Sequence, residues 1–371
     1  MYPAGAQNQP GGKTVLTVIM AGGVGERFWP WSRRKRPKQL LDLTGRGSMI
    51  DLTVDRLEGL SSPEEILIVT NVEQQESILA EVSGRVPAEN VIGEPVGQNT
   101  APCIGLAALL LRRKYGNQPM LVLPADHLVE PIENFRKLVK SAAAYVTEHA
   151  ALLTFGIKPT RPETGYGYIH AGEALNDAGG AAVFRTLEFL EKPNADTARK
   201  FVESGDYFWN SGMFMWTADV ILNEIAAQLP DLAAVLDRIE TESGTRPLPE
   251  VLKEQYPLAP SISIDYGVME KAADVVVMKA EIDWNDVGSW EFIRDVNDAD
   301  GDGNVTVGDS IMIDAGGNTV VSPDRMVAIL GVDDIVVVDG GDSILVCKRD
   351  RVQEVKKIVQ TLHEKKLKNL V

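Results

Sequence analysis

Over the first 160 residues, short and almost wholly apolar β-type runs alternate with helical patterns. This alternation restricts the fold more than any other feature. The runs "TVLTVIM" (14–20), "EILIVT" (65–70), "MLVLPA" (120–125) and "ALLTFGI" (151–157) are bounded by Gly, Pro, Asn or Asp. Between them lies "SMIDLTVDRLEGL" (48–60), where Ser48 can cap and Asp51 can answer it three residues on. A second helix candidate, "TAPCIGLAALLLRRKYG" (100–116), is closed by Gly116. Strands without polar alternation are buried on both faces. The expected class is therefore α/β: a mixed, mostly parallel Rossmann-like sheet with helices on both faces. Ligands of such sheets gather at the carboxyl ends of the strands.

After about residue 298 the texture changes. "DADGDGNVTVGDSIMIDAGGNTVVSPDRMVAILGVDDIVVVDGGDSILVCKRD" sets short β-type runs between Gly, Asn and Asp turns, an all-β signature. A closing helix is expected from Arg351, capped by Asp350 with Gln353, with Val352, Val355, Ile358, Val359 and Leu362 on one face. The expected division is a flexible tail at 1–13, a catalytic unit at 14–298 and a small β unit with terminal helix at 299–371. No low-complexity linker separates the last two, so they are expected to pack together.

No apolar run approaches the roughly 20 residues needed to span a bilayer, and the N-terminus lacks the basic and apolar regions of a signal peptide. Cys103 and Cys347 have no metal-ligand or CxxC spacing, so free thiols in a reducing cytoplasm are expected. A formal net charge of −16 argues against nucleic-acid or anionic-membrane partners, which need extended basic surfaces.

Against that acidic background, "VIMAGGVGERFWPWSRRKRPKQLLDL" (18–43) gathers six basic side chains between Arg27 and Lys38, just behind a glycine-rich turn. Gly22, Gly23 and Gly25 follow the first strand, where a sharp turn and close approach of backbone N–H groups to an anion are possible. A Walker loop needs GxxxxGK[ST], which is absent. A dinucleotide fingerprint needs a third glycine where Phe28 stands. What remains is a G-G-x-G-x-R loop followed by Pro37-Lys38.

With "AGGVGERFWPWSRRKRPKQ" (21–39), "GQNTAPCIG" (97–105), "LPADH" (123–127), "ETGYGYI" (163–169), "EKP" (191–193), "WNSGMF" (209–214), "SIDYGVMEK" (263–271) and "WNDVGSW" (284–290), the chain resembles the sugar-1-phosphate nucleotidylyltransferases. The resemblance is closest to members that use GTP and mannose 1-phosphate and give GDP-mannose and pyrophosphate. The tail from 304 resembles the left-handed β-helix-like C-terminal part of those enzymes.

The resemblance implies attack of a sugar-1-phosphate oxygen on the α-phosphorus of GTP, with no protein nucleophile and with positioning and charge stabilisation as the enzyme's task. The amides of Gly22, Gly23 and Gly25 would cradle phosphates. Arg27 would neutralise the departing pyrophosphate and Lys38 would hold the α-phosphate. Arg33, Arg34, Lys35 and Arg36 would attract anions generally or simply solvate the loop. Asp126 and Asp286 would hold Mg²⁺, or Mn²⁺ in its place, because such a cation takes few protein carboxylates and shares its shell with phosphate and water. His127 would be a structural neighbour.

Asn99, Thr100 and Pro102 would shape the base pocket, with a helix cap as the alternative role for the first two. Gly165, Glu191, Lys192, Asn210 and Asp265 would meet the sugar phosphate. Lys192 is expected to be extended because Pro193 follows it. Asp265 stays open between a sugar contact and a loop carboxylate. Two rival functions remain: transfer with another nucleotide and hexose 1-phosphate, or a silent regulatory subunit that senses the nucleotide sugar. A homodimer is expected, and the length leaves no room for a fused isomerase domain.

Overall fold

The computed structural model describes residues 15–175 and 179–371, and the expected tail at 1–13 lies outside them. Strands β1 (Leu16–Ala21), β2 (Ile66–Asn71), β3 (Val91–Glu94) and β4 (Pro119–Pro124) come first, and β1, β2 and β4 fall within a residue or two of the apolar runs that predict them. They are followed by the short β5 (Leu128–Glu130), then β6 (Leu152–Ile157), β7 (Gly167–Ala174), β8 (Val183–Glu191), β9 (Tyr207–Thr217) and β10 (Val275–Ala280). Nine of these form one sheet in the order β3-β2-β1-β4-β9-β6-β10-β8-β7. β1, β2, β3 and β4 pair in parallel, as do β6 and β10. β9 runs antiparallel between β4 and β6, and β7–β8 form an antiparallel edge.

Alternate residues feed two cores. Ile19, Leu121 and Leu123 pack with Phe135, Leu138 and Val139 of the helix Ile132–Glu148 on one face. Val18 and Val122 pack with Ile104, Ala107 and Leu111 of the helix Thr100–Tyr115 on the other. Each such fully buried aliphatic side chain contributes about 1.5–3 kcal/mol of transfer free energy. Ser48 caps the helix Met49–Asp55 by accepting from the Asp51 amide, and Gly116 at φ 76° ends Thr100–Tyr115, both as the sequence indicates.

A short strand β11 (Asp283–Asn285) pairs with β5. Beyond it, β12 (Val305–Ile313), β13 (Thr319–Leu330) and β14 (Ile335–Asp339) stack in parallel, and β15 (Ile344–Lys348) closes the layer antiparallel to β14. Buried Asn304 and Asn318 stitch successive coils. Asn304 bonds the Ala315 carbonyl and the Asn318 amide, and Asn318 bonds the Val332 carbonyl and the Ile335 amide.

The terminal segment departs from the expected capped helix. Arg349–Glu354 is a 3-10 turn, and the α-helix starts only at Lys356 and runs to Glu364, with no side-chain cap on either. Val352 and Val355 are both buried, and the three-residue period of a 3-10 turn sets such a pair on one side.

The β unit packs directly on the glycine-rich end of the sheet. Phe28, Trp29, Leu41, Val287 and Trp290 share a core with Val305, Val336, Leu345, Val352, Val355 and Val359. The indole of Trp31 donates to the Asp339 carbonyl at 2.7 Å and that of Trp29 to the Leu370 carbonyl at 2.8 Å. Arg33 reaches Asp342 at 2.9 Å and Ser343 at 3.0 Å. Much of "RFWPWSRR" is thus a seam between the two units, and Arg33 serves it instead of a ligand.

Candidate active site

The turn after β1 is braced from beneath. The buried Gln39 amide donates to the carbonyls of Ala21 at 2.6 Å and Gly23 at 3.1 Å, and Gln74 lies against it. Gly25 sits at φ 73°, and a Cβ there would fall 2.3 Å from the Lys38 Cβ. Only glycine fits, and its absent side chain is what lets Lys38 enter the site. Gly22 and Gly23 are exposed, with open space above Gly23.

Lys38 is 5% exposed and lies at the centre of the arrangement. Its Nζ is 2.9 Å from Asp126 Oδ2 and donates to the Asp286 carbonyl at 2.7 Å. Burial alone would raise the Asp126 pKa, but the Lys38 ammonium and its hydrogen bond, with His127 adding to them, hold it below the usual value. His127 accepts from the Trp284 indole at Nδ1, 3.2 Å away, so its proton sits on Nε2, which faces Asp126 Oδ1 at 3.9 Å. Burial pushes the His127 pKa down to about 4, which makes it a neutral neighbour near pH 7.

Asp286 accepts from the Tyr166 hydroxyl at 2.7 Å through Oδ1. Gly25, Glu26, Arg27, Lys38, Asp126, His127, Asp286, Gly288 and Lys356 line one open cavity of about 410 Å³. Arg27 has no carboxylate partner among the described residues. The predicted catalytic pair and both predicted metal ligands therefore meet in one place.

Tyr166 joins this cavity to the second predicted group. Its carbonyl accepts from the Lys192 amide at 3.2 Å. The Lys192 ammonium lies 2.6 Å from Glu191 Oε1, while Glu191 Oε2 is buried without a hydrogen-bond partner among the described residues. That orphan oxygen points at Gly167, where a Cβ would lie within 2.3 Å of it. Lys192 is at φ 51°, in the left-handed region, so the extended conformation expected from Pro193 is not the one adopted. Asn210 spends its amide internally, donating to Asp265 at 2.9 Å and accepting from the Gly212 amide at 3.1 Å. Burial, reinforced by the Glu191 charge, raises the Asp265 pKa to about 6. The Gly165 amide donates to Glu163 at 3.1 Å.

In the loop beyond β3, Asn99 caps the following helix by accepting from the Thr100 amide, at φ 69° and ψ −169°, a backbone region costly for a residue other than glycine. The Thr100 hydroxyl accepts from the Ile264 amide at 2.8 Å, and Pro102 is buried in the first helical turn. The cap role thus holds for Asn99, and Thr100 ties its helix to the segment that carries Asp265. Glu94, which sequence reasoning missed, lies under Gly22 with Oε2 3.3 Å from a Cβ built there, and it accepts from the Tyr256 hydroxyl. Burial raises its pKa to about 7, offset in part by the Tyr256 bond. Its place at the carboxyl end of a strand is the signal that could have found it.

The chain as a whole is matched by known proteins. The sequence profile described as nucleotidyl transferase covers residues 16–303. The chain belongs to the nucleotidyl transferase family. A second profile, the mannose-phosphate isomerase/GMP-like β-helix domain, covers 308–362, so this nucleotidyl transferase carries the β unit expected for its tail. It is 40% identical over 355 residues to a mannose-1-phosphate guanylyltransferase of Escherichia coli, covering 94% of this chain and 75% of that protein. It is 42% identical over 352 residues to the xanthan biosynthesis protein XanB of Xanthomonas campestris, covering 94% and 73%. Among solved structures, a Thermus thermophilus protein described as a mannose-1-phosphate geranyltransferase superposes with a TM-score of 0.83 at 34% identity, covering 95% of this chain and 99% of that one.

Proposed function

We propose that the protein transfers GMP from GTP to α-D-mannose 1-phosphate, giving GDP-mannose and pyrophosphate. The observation that carries this reading is the placement of Lys38, held by Asp126 and the Asp286 main chain on a cavity that the glycine turn, Arg27 and both aspartates share. The names of the curated relatives supply the base and the hexose.

A sugar-phosphate oxygen forms the new bond to the α-phosphorus, the bond from that phosphorus to the bridging oxygen breaks, and pyrophosphate leaves with the electron pair. No side chain is a nucleophile in this reading. Lys38 holds the α-phosphate in line, and Arg27 stabilises charge growing on the leaving group. Glu191, with its orphaned oxygen, accepts from a sugar hydroxyl, because a buried unpaired acceptor gains most from a donor brought by a ligand. Lys192, Asp265 and Asn210 frame that subsite, Gly165 borders it, and Asn99, Thr100 and Pro102 set the loop beside the base.

Asp126 and Asp286 suit a hard divalent cation, since both carboxylates line the shared cavity where phosphate oxygens would lie. Such a cation, Mg²⁺ or Mn²⁺, supplies neutralisation of phosphate charge when bound. We place the catalytic unit at 14–298 and the β unit at 299–371. Exposed Ile311, Ile313, Met326 and Leu330 on the β unit support a homodimer. The reading is tested by chromatographic detection of GDP-mannose from GTP and mannose 1-phosphate, with loss of product expected in Arg27→Ala.

A further inference from the structure

We infer that Lys356, from the β unit, is a binding residue for the pyrophosphate moiety, so that the β unit completes the active site. This rests on the reading above and adds a residue to it. Lys356 opens the helix Lys356–Glu364, and it lines the cavity of Arg27, Lys38, Asp126 and Asp286 although more than 300 residues separate it from Arg27 in the chain. Its backbone is anchored, although its side chain is exposed. Val352, Val355 and Val359 on either side of it are buried in the core shared with Phe28, Trp29 and Trp290. The helix packs on the 3-10 turn Glu26–Phe28 that presents Arg27, and the Trp29 indole fastens the chain end at Leu370.

Its charge is also uncommitted. The adjacent Lys357 is held by Glu354 at 2.6 Å and Lys38 by Asp126 at 2.9 Å. Lys356 and Arg27 have no carboxylate partner among the described residues. Two unpaired cations on one cavity, both at the glycine-turn side, are suited to a dense anion. Glu191, Lys192 and Asp265 of the sugar-side group do not line this cavity, which that group reaches through Tyr166 and Asp286. Lys356 therefore meets the β- and γ-phosphates of the nucleoside triphosphate, or free pyrophosphate in the reverse reaction, and not the sugar phosphate.

The test uses the full chain with Lys356→Ala, Lys356→Glu and Lys356→Arg, and Lys357→Ala as the control. Calorimetric binding of inorganic pyrophosphate in the presence of Mg²⁺ is measured first, because it needs no turnover. Loss of one charge-assisted contact predicts roughly ten-fold weaker binding in Lys356→Ala, weaker still in Lys356→Glu, and recovery in Lys356→Arg. In turnover, KM for GTP and for pyrophosphate should rise while KM for mannose 1-phosphate stays within about two-fold, with Lys357→Ala like wild type. Unaltered melting temperatures show that the variants fold.

Pyrophosphate binding by Lys356→Ala equal to wild type overturns the inference. So does an equal rise in KM for the sugar phosphate, or wild-type protein that binds no pyrophosphate. Wild type that binds pyrophosphate through Lys356 yet makes no GDP-mannose would instead refute the functional reading alone.

Discussion

Lys38 and Asp126 form an ion pair of 2.9 Å at the wall of the cavity, and the same ammonium bonds the main chain at Asp286. One side chain thus ties the two loops that carry the acidic residues. Lys38→Ala should lower kcat by roughly 10²–10³, the scale of losing one preorganised charge-stabilising donor. Lys38→Arg should not restore it, since a planar guanidinium cannot fill the point-donor position between Asp126 Oδ2 and the Asp286 carbonyl. Steady-state kinetics on both variants check this.

Tyr166 links the acidic pair to the sugar-side group. Tyr166→Phe removes its hydroxyl from Asp286 Oδ1, costing about 1 kcal/mol of stability. With that oxygen released, Asp286 is less well oriented, and the Mg²⁺ concentration for half-maximal activity should rise several-fold. A Mg²⁺ titration of wild type and variant, after treatment with a chelator to abolish activity, reads the effect.

Trp290 is fully buried between Phe28 and Trp31 and donates to the Trp29 carbonyl at 3.0 Å. Trp290→Ala should cost roughly 3–5 kcal/mol and loosen the seam between the sheet and the β unit. Arg33→Ala, which removes the pair with Asp342, the bond to Ser343 and the guanidinium's contact with the Trp29 ring but leaves the buried aromatic core in place, should cost about 1 kcal/mol. Denaturant unfolding of the two variants separates them.

Glu94 gives stability a pH dependence. Its folded pKa of about 7 lies above the ordinary 4.5, so the folded chain holds a proton there that the unfolded chain has already released. The stabilisation is complete below pH 4.5 and is lost as pH rises toward 7, on the order of 3 kcal/mol for this group. Asp265, raised to about 6, acts in the same direction. Glu94→Gln keeps an acceptor for Tyr256 and should flatten the decline in melting temperature between about pH 5 and 8.

The parallel strands could be read from sequence because each is a short apolar run ending in a turn, and β1, β2, β4 and β6 appear where those runs lie. The insertion of β9 between β4 and β6 could not, because "YFWNSGMFMWT" satisfies either pairing direction and only the tertiary sheet decides. The motifs named Arg27, Lys38, Asp126 and Asp286, which converge on one cavity. They gave no sign that the Gly165 amide is occupied or that Asn210 is spent on Asp265, because hydrogen-bond satisfaction is a property of the folded neighbours. Asn304 and Asn318 stand among the Gly, Asn and Asp turns of the sequence with nothing to single them out, and only the coil geometry sets one above the other. Lys356 carried no local signal: in "VKKIV" it differs from Lys357 only in what the fold sets opposite it.

The most direct test of the central claim is pyrophosphate release by the purified protein with Mg²⁺, crossing GTP, ATP, UTP and dTTP with mannose 1-phosphate and glucose 1-phosphate. The account predicts release confined to GTP with mannose 1-phosphate. Release with a different pair, or none across the panel while GDP-mannose binds tightly, would contradict it.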